Sequence, residues 1–79
     1  MISYAEFENK YLFDIIINRG SQRAGQALMN FLWKTRPQKY HDISTNIPEL
    51  KQFDCFYNDD IIPLTLEHLK LTWDKKLDT

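Results

Sequence analysis

The stretch SQRAGQALMNFLWKT, residues 21–35, decides the fold of this chain. Its apolar residues recur at positions i, i+3, i+4, i+7 and i+8, which is the spacing of one face of an α-helix. They are Ala24, Ala27, Leu28, Phe31 and Leu32. We expect Ser21 to cap the helix at its N-terminus. Pro37 ends it, because the residue before a proline is disfavoured in the helical region.

Helices are also predicted on both sides of this segment. Ser3 and Glu6 have the S-x-x-E spacing of a capping box, which opens a first helix, and Gly20 is the expected left-handed residue at its C-terminal end. Pro37 suits the first turn of a short third helix over residues 37–43. Asn58 and the two aspartates after it predict the start of a last helix that runs to about Lys76.

The rest of the chain adds short elements and a buried stripe. Residues 44–46 are predicted to be a polar turn, and residues 47–53 either a further helical turn or an ordered loop. The buried stripe of the last helix is expected to be Ile62, Leu66, Leu69 and Trp73. With 79 residues, 43% hydrophobic and 14% aromatic, the chain has enough apolar surface for one modest core. The sequence therefore predicts an all-α, compact three- or four-helix domain that spans residues 1–79 as a single unit.

Cysteine usage and hydropathy indicate the compartment. Cys55 is the single cysteine, which excludes an internal disulfide and fits a reducing environment. The first residues show no basic start leading into a long apolar run, and the apolar run at 15–17 is far too short to span a membrane. We therefore expect a cytoplasmic protein without a membrane segment.

Two loop motifs lack the residues that their chemistry requires. Gly20 and Gly25 have the G-x-x-x-x-G spacing of a phosphate-binding loop, but Gln26 stands where the lysine belongs and Ala27 where a hydroxyl would hold magnesium. Gly25 is instead expected at a close contact with another element. The acidic cluster at 54–60 lacks the glycine and the glutamate of a calcium loop, so we expect one of its last two aspartates, Asp59 or Asp60, to cap the final helix.

Nucleophilic and metal-ligating residues are few. Cys55, His41 and His68 lack the spacings that bring zinc ligands together, and Cys55 directly follows an acidic residue, which does not favour a reactive thiolate. Cys55 is predicted to be a small core residue. The sequence thus predicts no catalytic residue, no metal site and no cofactor, and a protein that is not an enzyme.

Charge is distributed unevenly although the net charge is only −1. Between Asp14 and Asp42 there is no acidic residue and there are five basic ones, namely Arg19, Arg23, Lys34, Arg36 and Lys39. Residues 49–79 carry seven acidic and four basic residues. We expect a basic middle segment and an acidic C-terminal half.

The polar side of the second helix is the first candidate binding surface. It combines Gln22, Arg23, Gln26, Asn30, Trp33 and Lys34. Arg, Gln and Asn side chains read base edges, and a glycine-containing turn before such a helix resembles a helix-turn-helix entry. The net negative charge and the acidic last helix oppose DNA binding. A solvated face, a protein partner and a nucleic acid are therefore all open, with protein favoured over nucleic acid.

Tyr57 marks a second candidate surface, just before the last helix. If Tyr57 and Trp33 are both exposed, they are natural anchors for a protein interface, since such interfaces are enriched in Tyr, Trp and Arg. The predicted partner-binding residues are Arg23, Gln26, Asn30, Trp33, Arg36 and Tyr57.

Two motifs carry a resemblance to known proteins. They are RxGQAxxNxLxxxRP, from Arg23 to Pro37, and DxFYxDxxIP, from Asp54 to Pro63. This pattern resembles a group of short proteins encoded by bacteriophages and prophages, most of them without an assigned function. The resemblance implies a small accessory protein made in an infected bacterium, a class that often acts by binding and inhibiting a host protein.

These observations lead to one expected function and one alternative. We expect a non-enzymatic phage accessory protein that binds and modulates or inhibits a host bacterial protein in the host cytoplasm. The alternative is a small nucleic-acid-binding regulator that uses the helix at about residues 21–35.

Overall fold

The computed structural model describes residues 2–74, which form four α-helices joined by π- and 3₁₀-helical turns, with no strand among these residues. The α-helices are α1, Tyr4–Lys10; α2, Ala24–Thr35; α3, Pro37–His41; and α4, Ile62–Thr72. The π-helical turns are Tyr11–Ile15 and Asp42–Asn46, and the 3₁₀ turns are Pro48–Phe53 and Asp59–Ile61. The domain measures 36 × 26 × 19 Å along its principal axes. The predicted all-α, compact helical domain is confirmed.

The first helix begins at its predicted cap, whereas its helical structure ends at Ile15, before Gly20, so Gly20 is left-handed as predicted but does not cap the helix. Ser3 Oγ accepts a hydrogen bond from the backbone N–H of Glu6 at 3.2 Å, and Gly20 has φ +67°. After α1 the hydrogen bonds widen to the π pattern, in which the N–H of Ile16 donates to the carbonyl of Tyr11 at 2.9 Å. Phe7 and Tyr11 are completely buried.

The start of α2 differs from the prediction. The helix begins at Ala24, so Ser21 is not its cap. Gln26 Oε1 accepts a hydrogen bond from the backbone N–H of Arg23, the residue before the helix, at 3.4 Å. The guanidinium of Arg19 donates to carbonyls of the preceding turn, which holds that turn outside the helix. The helix ends at residue 35, before Pro37, as predicted.

The core is built around the ring of Phe7, which stacks on Phe31 and packs against Trp73, with both centroid distances 4.8 Å. The buried apolar residues are Phe7, Tyr11, Ala27, Leu28, Met29, Phe31, Leu32, Ile43, Cys55, Leu69 and Trp73. Met29 lies outside the predicted stripe and is nevertheless fully buried. The second helix is therefore covered over a wider face than its apolar spacing predicts.

The second half of the chain departs from the prediction in two places. Helical structure continues from α3 through the turn Asp42–Asn46, so the polar turn expected at 44–46 is wrong. Residues 47–53 contain a 3₁₀ turn, one of the two forms expected. In α4, Leu69 and Trp73 are buried as predicted, whereas Ile62 and Leu66 are only partly buried. The expected extension of this helix to Lys76 lies outside the described residues.

Gly25 joins the first turn of α2 to the loop at residues 54–58, here called the aromatic loop. A Cβ atom at Gly25 would lie 1.9 Å from the carbonyl oxygen of Cys55. The N–H of Gly25 donates to Asp59 Oδ1 at 2.8 Å, and Cys55 Sγ donates to the Gly25 carbonyl at 3.5 Å. The predicted close contact at Gly25 is confirmed.

The predicted capping of the last helix by Asp59 is wrong, because the Asp59 carboxylate binds the start of α2 instead. The side chain of Asn58 accepts a hydrogen bond from the N–H of Asp60 at 3.0 Å.

Two residues of the basic middle segment serve the fold. Arg36 lies with its guanidinium carbon 4.5 Å from the ring centroid of Trp73 and donates from Nη1 to the Trp73 carbonyl at 3.3 Å. Lys39, only 7% exposed, donates from Nζ to the carbonyl of Thr72. Cations are favourable at the C-terminal end of a helix, where carbonyl groups lack helical partners. The exposed cations left in the segment are Arg19, Arg23 and Lys34.

Candidate protein-binding surface

Trp33, which is exposed, and Tyr40, which is partly buried, form the first half of an aromatic surface. Trp33 lies in the last turns of α2 and is 52% exposed. The chain turns sharply at Arg36, where φ is −140° and ψ is 73°, and α3 therefore begins at once beside α2. This turn brings the ring of Tyr40 to 6.5 Å from that of Trp33, centroid to centroid.

The aromatic loop supplies the second half. Cys55 is fully buried, Phe56 is partly buried against the core, and Tyr57 is 79% exposed. The rings of Phe56 and Tyr57 meet edge to face at 4.8 Å. The carboxylate of Asp54 accepts a hydrogen bond from the N–H of Phe56 at 3.0 Å, which fixes the turn of the loop.

A pocket connects the two halves. It has a volume of about 140 Å³ and is lined by Tyr40, Asp54, Phe56 and Tyr57. Tyr40 therefore contacts Trp33 on one side and faces the loop on the other. We call Trp33, Tyr40, Phe56 and Tyr57 the aromatic surface, and the pocket within it the aromatic pocket.

The structure thus links Trp33 and Tyr57, one residue from each of the two predicted surfaces, through Tyr40. Trp33 and Tyr57 are the two anchors predicted on condition of exposure, and both are exposed. The sequence alone does not single out their link, Tyr40, although it follows Trp33 by seven residues across a proline turn. Phe56 is partly buried and packs against the core.

The predicted polar residues of α2 lie at other points. Arg23 is exposed at the N-terminus of the helix, and Gln26 is half-buried with its side chain engaged by the Arg23 N–H. Asn30 donates from Nδ2 to Gln22 Oε1 at 3.0 Å. Asn30 also lines an open pocket of about 210 Å³ between the segment at residues 14–22 and α2, and Phe31 is another of its lining residues.

Arg36 has a different environment from the other predicted residues. Its guanidinium is half-buried on Trp73, and its Nε atom is buried without a hydrogen-bond partner. These contacts hold the Arg36 side chain against Trp73 at the end of α4. Packing within the fold therefore explains the position of Arg36, and no partner protein is needed to explain it.

Burial shifts the pKa values of Cys55, Tyr11 and His68. Burial raises the pKa of the Cys55 thiol to about 11, so the thiolate is scarce at neutral pH. Burial, with smaller contributions from Cys55 and Asp59, raises the pKa of Tyr11 to about 12. Burial also lowers the pKa of His68, whose ring stacks on Phe53 at 4.3 Å. Within residues 2–74, no three His, Cys, Asp or Glu side chains converge as metal ligands.

The comparisons with known proteins give no relative. No protein-family model, no curated protein and no solved structure matches this chain. In the part of the chain that the structure describes, no helix combines the length and the apolar character needed to cross a membrane.

Proposed function

We propose that the protein is a non-enzymatic accessory protein that binds a bacterial host protein through the aromatic surface and thereby modulates or inhibits it. The host, and a cytoplasmic location within it, rest on the resemblance to short phage-encoded proteins and on the single cysteine. The binding role rests on the structure of the surface itself.

The observation that carries the proposal is a row of aromatic rings in which the exposed residues Trp33 and Tyr57 are linked by the partly buried Tyr40. Trp33 and Tyr57 come from two distant stretches of the chain, and both side chains are more than half exposed. Burying an aromatic ring of this size removes a large apolar area from water. Protein interfaces concentrate Trp and Tyr at their centres, where large rigid rings provide contact area with little loss of side-chain freedom. A binding surface accounts for this arrangement better than a solvated face does.

The distribution of cations favours a protein partner over a nucleic acid. Nucleic-acid binding depends on several exposed Lys and Arg residues that neutralise phosphates. Arg36 and Lys39 instead donate to the last carbonyls of α4, and Arg19 donates to carbonyls of its own turn. The basic middle segment therefore offers fewer available cations than its sequence indicates.

The burial and protonation of Cys55 support the proposal that the protein is not an enzyme. Cys55 has no exposed surface, and its raised pKa keeps it protonated. Enzymes instead place a catalytic cysteine in a partly exposed, electropositive environment.

The proposal is tested by affinity capture from nuclease-treated bacterial lysate, with captured proteins identified by mass spectrometry. The double variant Trp33→Ala/Tyr57→Ala is expected to abolish capture of the partner. Both side chains are largely in water, so the helical circular dichroism should not change.

A matched control uses exposed apolar residues elsewhere. Leu64 and Leu71 lie on one side of α4 and are 52% and 63% exposed. The double variant Leu64→Ala/Leu71→Ala should capture the partner as the unmodified protein does. Equal capture by the folded Trp33→Ala/Tyr57→Ala variant would refute the assignment of the surface. Binding that disappears on nuclease treatment would point to the nucleic-acid alternative.

A further inference from the structure

The aromatic pocket is lined by aromatic rings and one carboxylate. Three of its four lining residues, Tyr40, Phe56 and Tyr57, are aromatic, and the fourth is the carboxylate residue Asp54. The faces of aromatic rings carry negative partial charge and attract cations. All four lining residues thus present groups that favour positive charge.

The carboxylate of Asp54 is held in place, and its charge is not offset within the pocket. Its Oδ1 atom accepts the N–H of Phe56 at 3.0 Å, which uses one acceptor position of the group. Among residues 2–74, no lysine or arginine lines the pocket beside it. An apolar group entering the pocket would remove water from this carboxylate without replacing its interactions, whereas a cation would replace them.

The size of the pocket limits the ligand to one side chain. Its volume of about 140 Å³ is well below the range of ~300–1,000 Å³ typical of sites for drug-sized molecules. The end of a lysine or arginine side chain is a ligand of suitable size and charge.

The surroundings of the pocket also favour a basic partner. The C-terminal half of the chain has an excess of acidic residues, and Asp59 and Asp60, just beyond the loop, are exposed.

We propose that the aromatic pocket receives a lysine or arginine side chain from a basic segment of the partner protein. The cation lies against the rings of Tyr40 and Tyr57 and pairs with the carboxylate of Asp54. This inference rests on the proposed function, since it names the chemistry of the partner that the aromatic surface binds. It also gives Asp54 a role beyond the turn that it stabilises.

The test uses small probes and the intact chain labelled with ¹⁵N. N-acetyl-lysine methylamide, N-acetyl-arginine methylamide and an uncharged analogue of the lysine probe, with a methyl group in place of the ammonium, are titrated separately. The amide signal of Phe56 is the reporter, because its N–H is bonded directly to the Asp54 carboxylate. We expect saturable shifts at the pocket with a cationic probe, and weaker binding of the uncharged analogue.

Two variants separate the contribution of the Asp54 charge from that of the Tyr57 ring. Asp54→Asn keeps a side-chain oxygen for the N–H of Phe56 and removes only the charge, and it should weaken binding of the lysine probe about fivefold. Tyr57→Leu keeps an apolar wall and removes the ring, and it should weaken binding about two- to fivefold. Added salt should weaken the binding of the cationic probes and not that of the uncharged one.

Each outcome decides the inference. Charge-dependent binding that Asp54→Asn removes supports it. Equal binding of the uncharged analogue, unchanged affinity in Asp54→Asn, or no shift with any probe overturns it. Capture of a protein through Trp33 and Tyr57 by an Asp54→Asn variant at full strength would also overturn it, while leaving the proposed function intact. Cation binding in the pocket together with capture that survives Trp33→Ala/Tyr57→Ala would support the pocket and refute the proposed function.

Discussion

Replacing Gly25 with alanine tests the junction that places the aromatic loop over α2. In a free helix this change is favourable, because alanine has the higher helix propensity by about 1 kcal/mol. Here the new Cβ would stand 1.9 Å from the carbonyl oxygen of Cys55 and 2.9 Å from its carbonyl carbon. Both are backbone atoms, so no side-chain rotation can relieve the contact.

The contacts at this junction give the expected decrease in the free energy of unfolding. To open the contact to an ordinary distance, the backbone of α2 and that of the loop must separate by more than an ångström, which lengthens the 2.8 Å hydrogen bond from the Gly25 N–H to Asp59. A hydrogen bond to a charged group contributes about 1.5–3 kcal/mol. Forcing extra volume into a packed site costs about 1–3 kcal/mol. After subtracting the gain in propensity, we expect Gly25→Ala to lower the free energy of unfolding by about 1.5–5 kcal/mol.

Urea denaturation followed by tryptophan fluorescence measures this change, since Trp73 is buried in the core. Gly20→Ala is the matched control. Gly20 has φ +67°, and a Cβ added there would have no atom within 4 Å, so only backbone strain of about 1–2 kcal/mol applies. A Gly25→Ala protein as stable as the unmodified one, or less affected than Gly20→Ala, would refute this account of the junction.

Two further changes probe the end of α4. The folded state holds His68 with a lowered pKa, mainly through burial and also through the charge of Lys39, so below the ordinary value of 6.5 the unfolded chain binds more protons. Stability present above that pH should therefore decline as the pH falls through it, and chemical denaturation across this range should show a smaller decline in His68→Phe, which keeps a ring against Phe53. Arg36→Met removes the cation over Trp73 and the bond to its carbonyl, and it should lower the free energy of unfolding by about 1–2 kcal/mol. An unchanged melting temperature in Arg36→Met would show that this contact contributes nothing to stability.

The elements that the sequence predicts correctly are those with strong local signals. Ser3 caps the first helix and Pro37 marks a helix boundary as expected. Gly20 adopts the expected left-handed conformation, although the first helix ends before it. The periodic apolar residues of α2 fix the main core face in the same way. Such signals act within one turn of chain, so they can be read without knowing what packs nearby.

The features that the sequence does not predict depend on partners distant in the chain. Asp59 has the residue type and position of a helix cap, yet its carboxylate binds the N–H of Gly25, 34 residues away. In the sequence, Lys39 and Arg36 belong to the basic middle segment. In the folded protein, both donate hydrogen bonds to carbonyls at the end of α4. For these three residues a tertiary contact outweighs the local preference. Tyr40 differs, because a local turn at Arg36 places it beside Trp33.

The way in which the aromatic loop is held bears on how strongly its exposed ring can bind. The loop is fixed at Cys55, which is buried and bonded to Gly25, and its turn is closed by the bond from the Asn58 N–H to the Cys55 carbonyl at 3.2 Å. A loop fixed in this way loses little backbone freedom on binding, so more of the contact free energy of Tyr57 is retained as affinity. The same contacts tie binding to folding, because opening the junction at Gly25 displaces the loop that carries Tyr57. A partner-binding assay on Gly25→Ala should therefore show weaker capture even under conditions in which the variant remains folded.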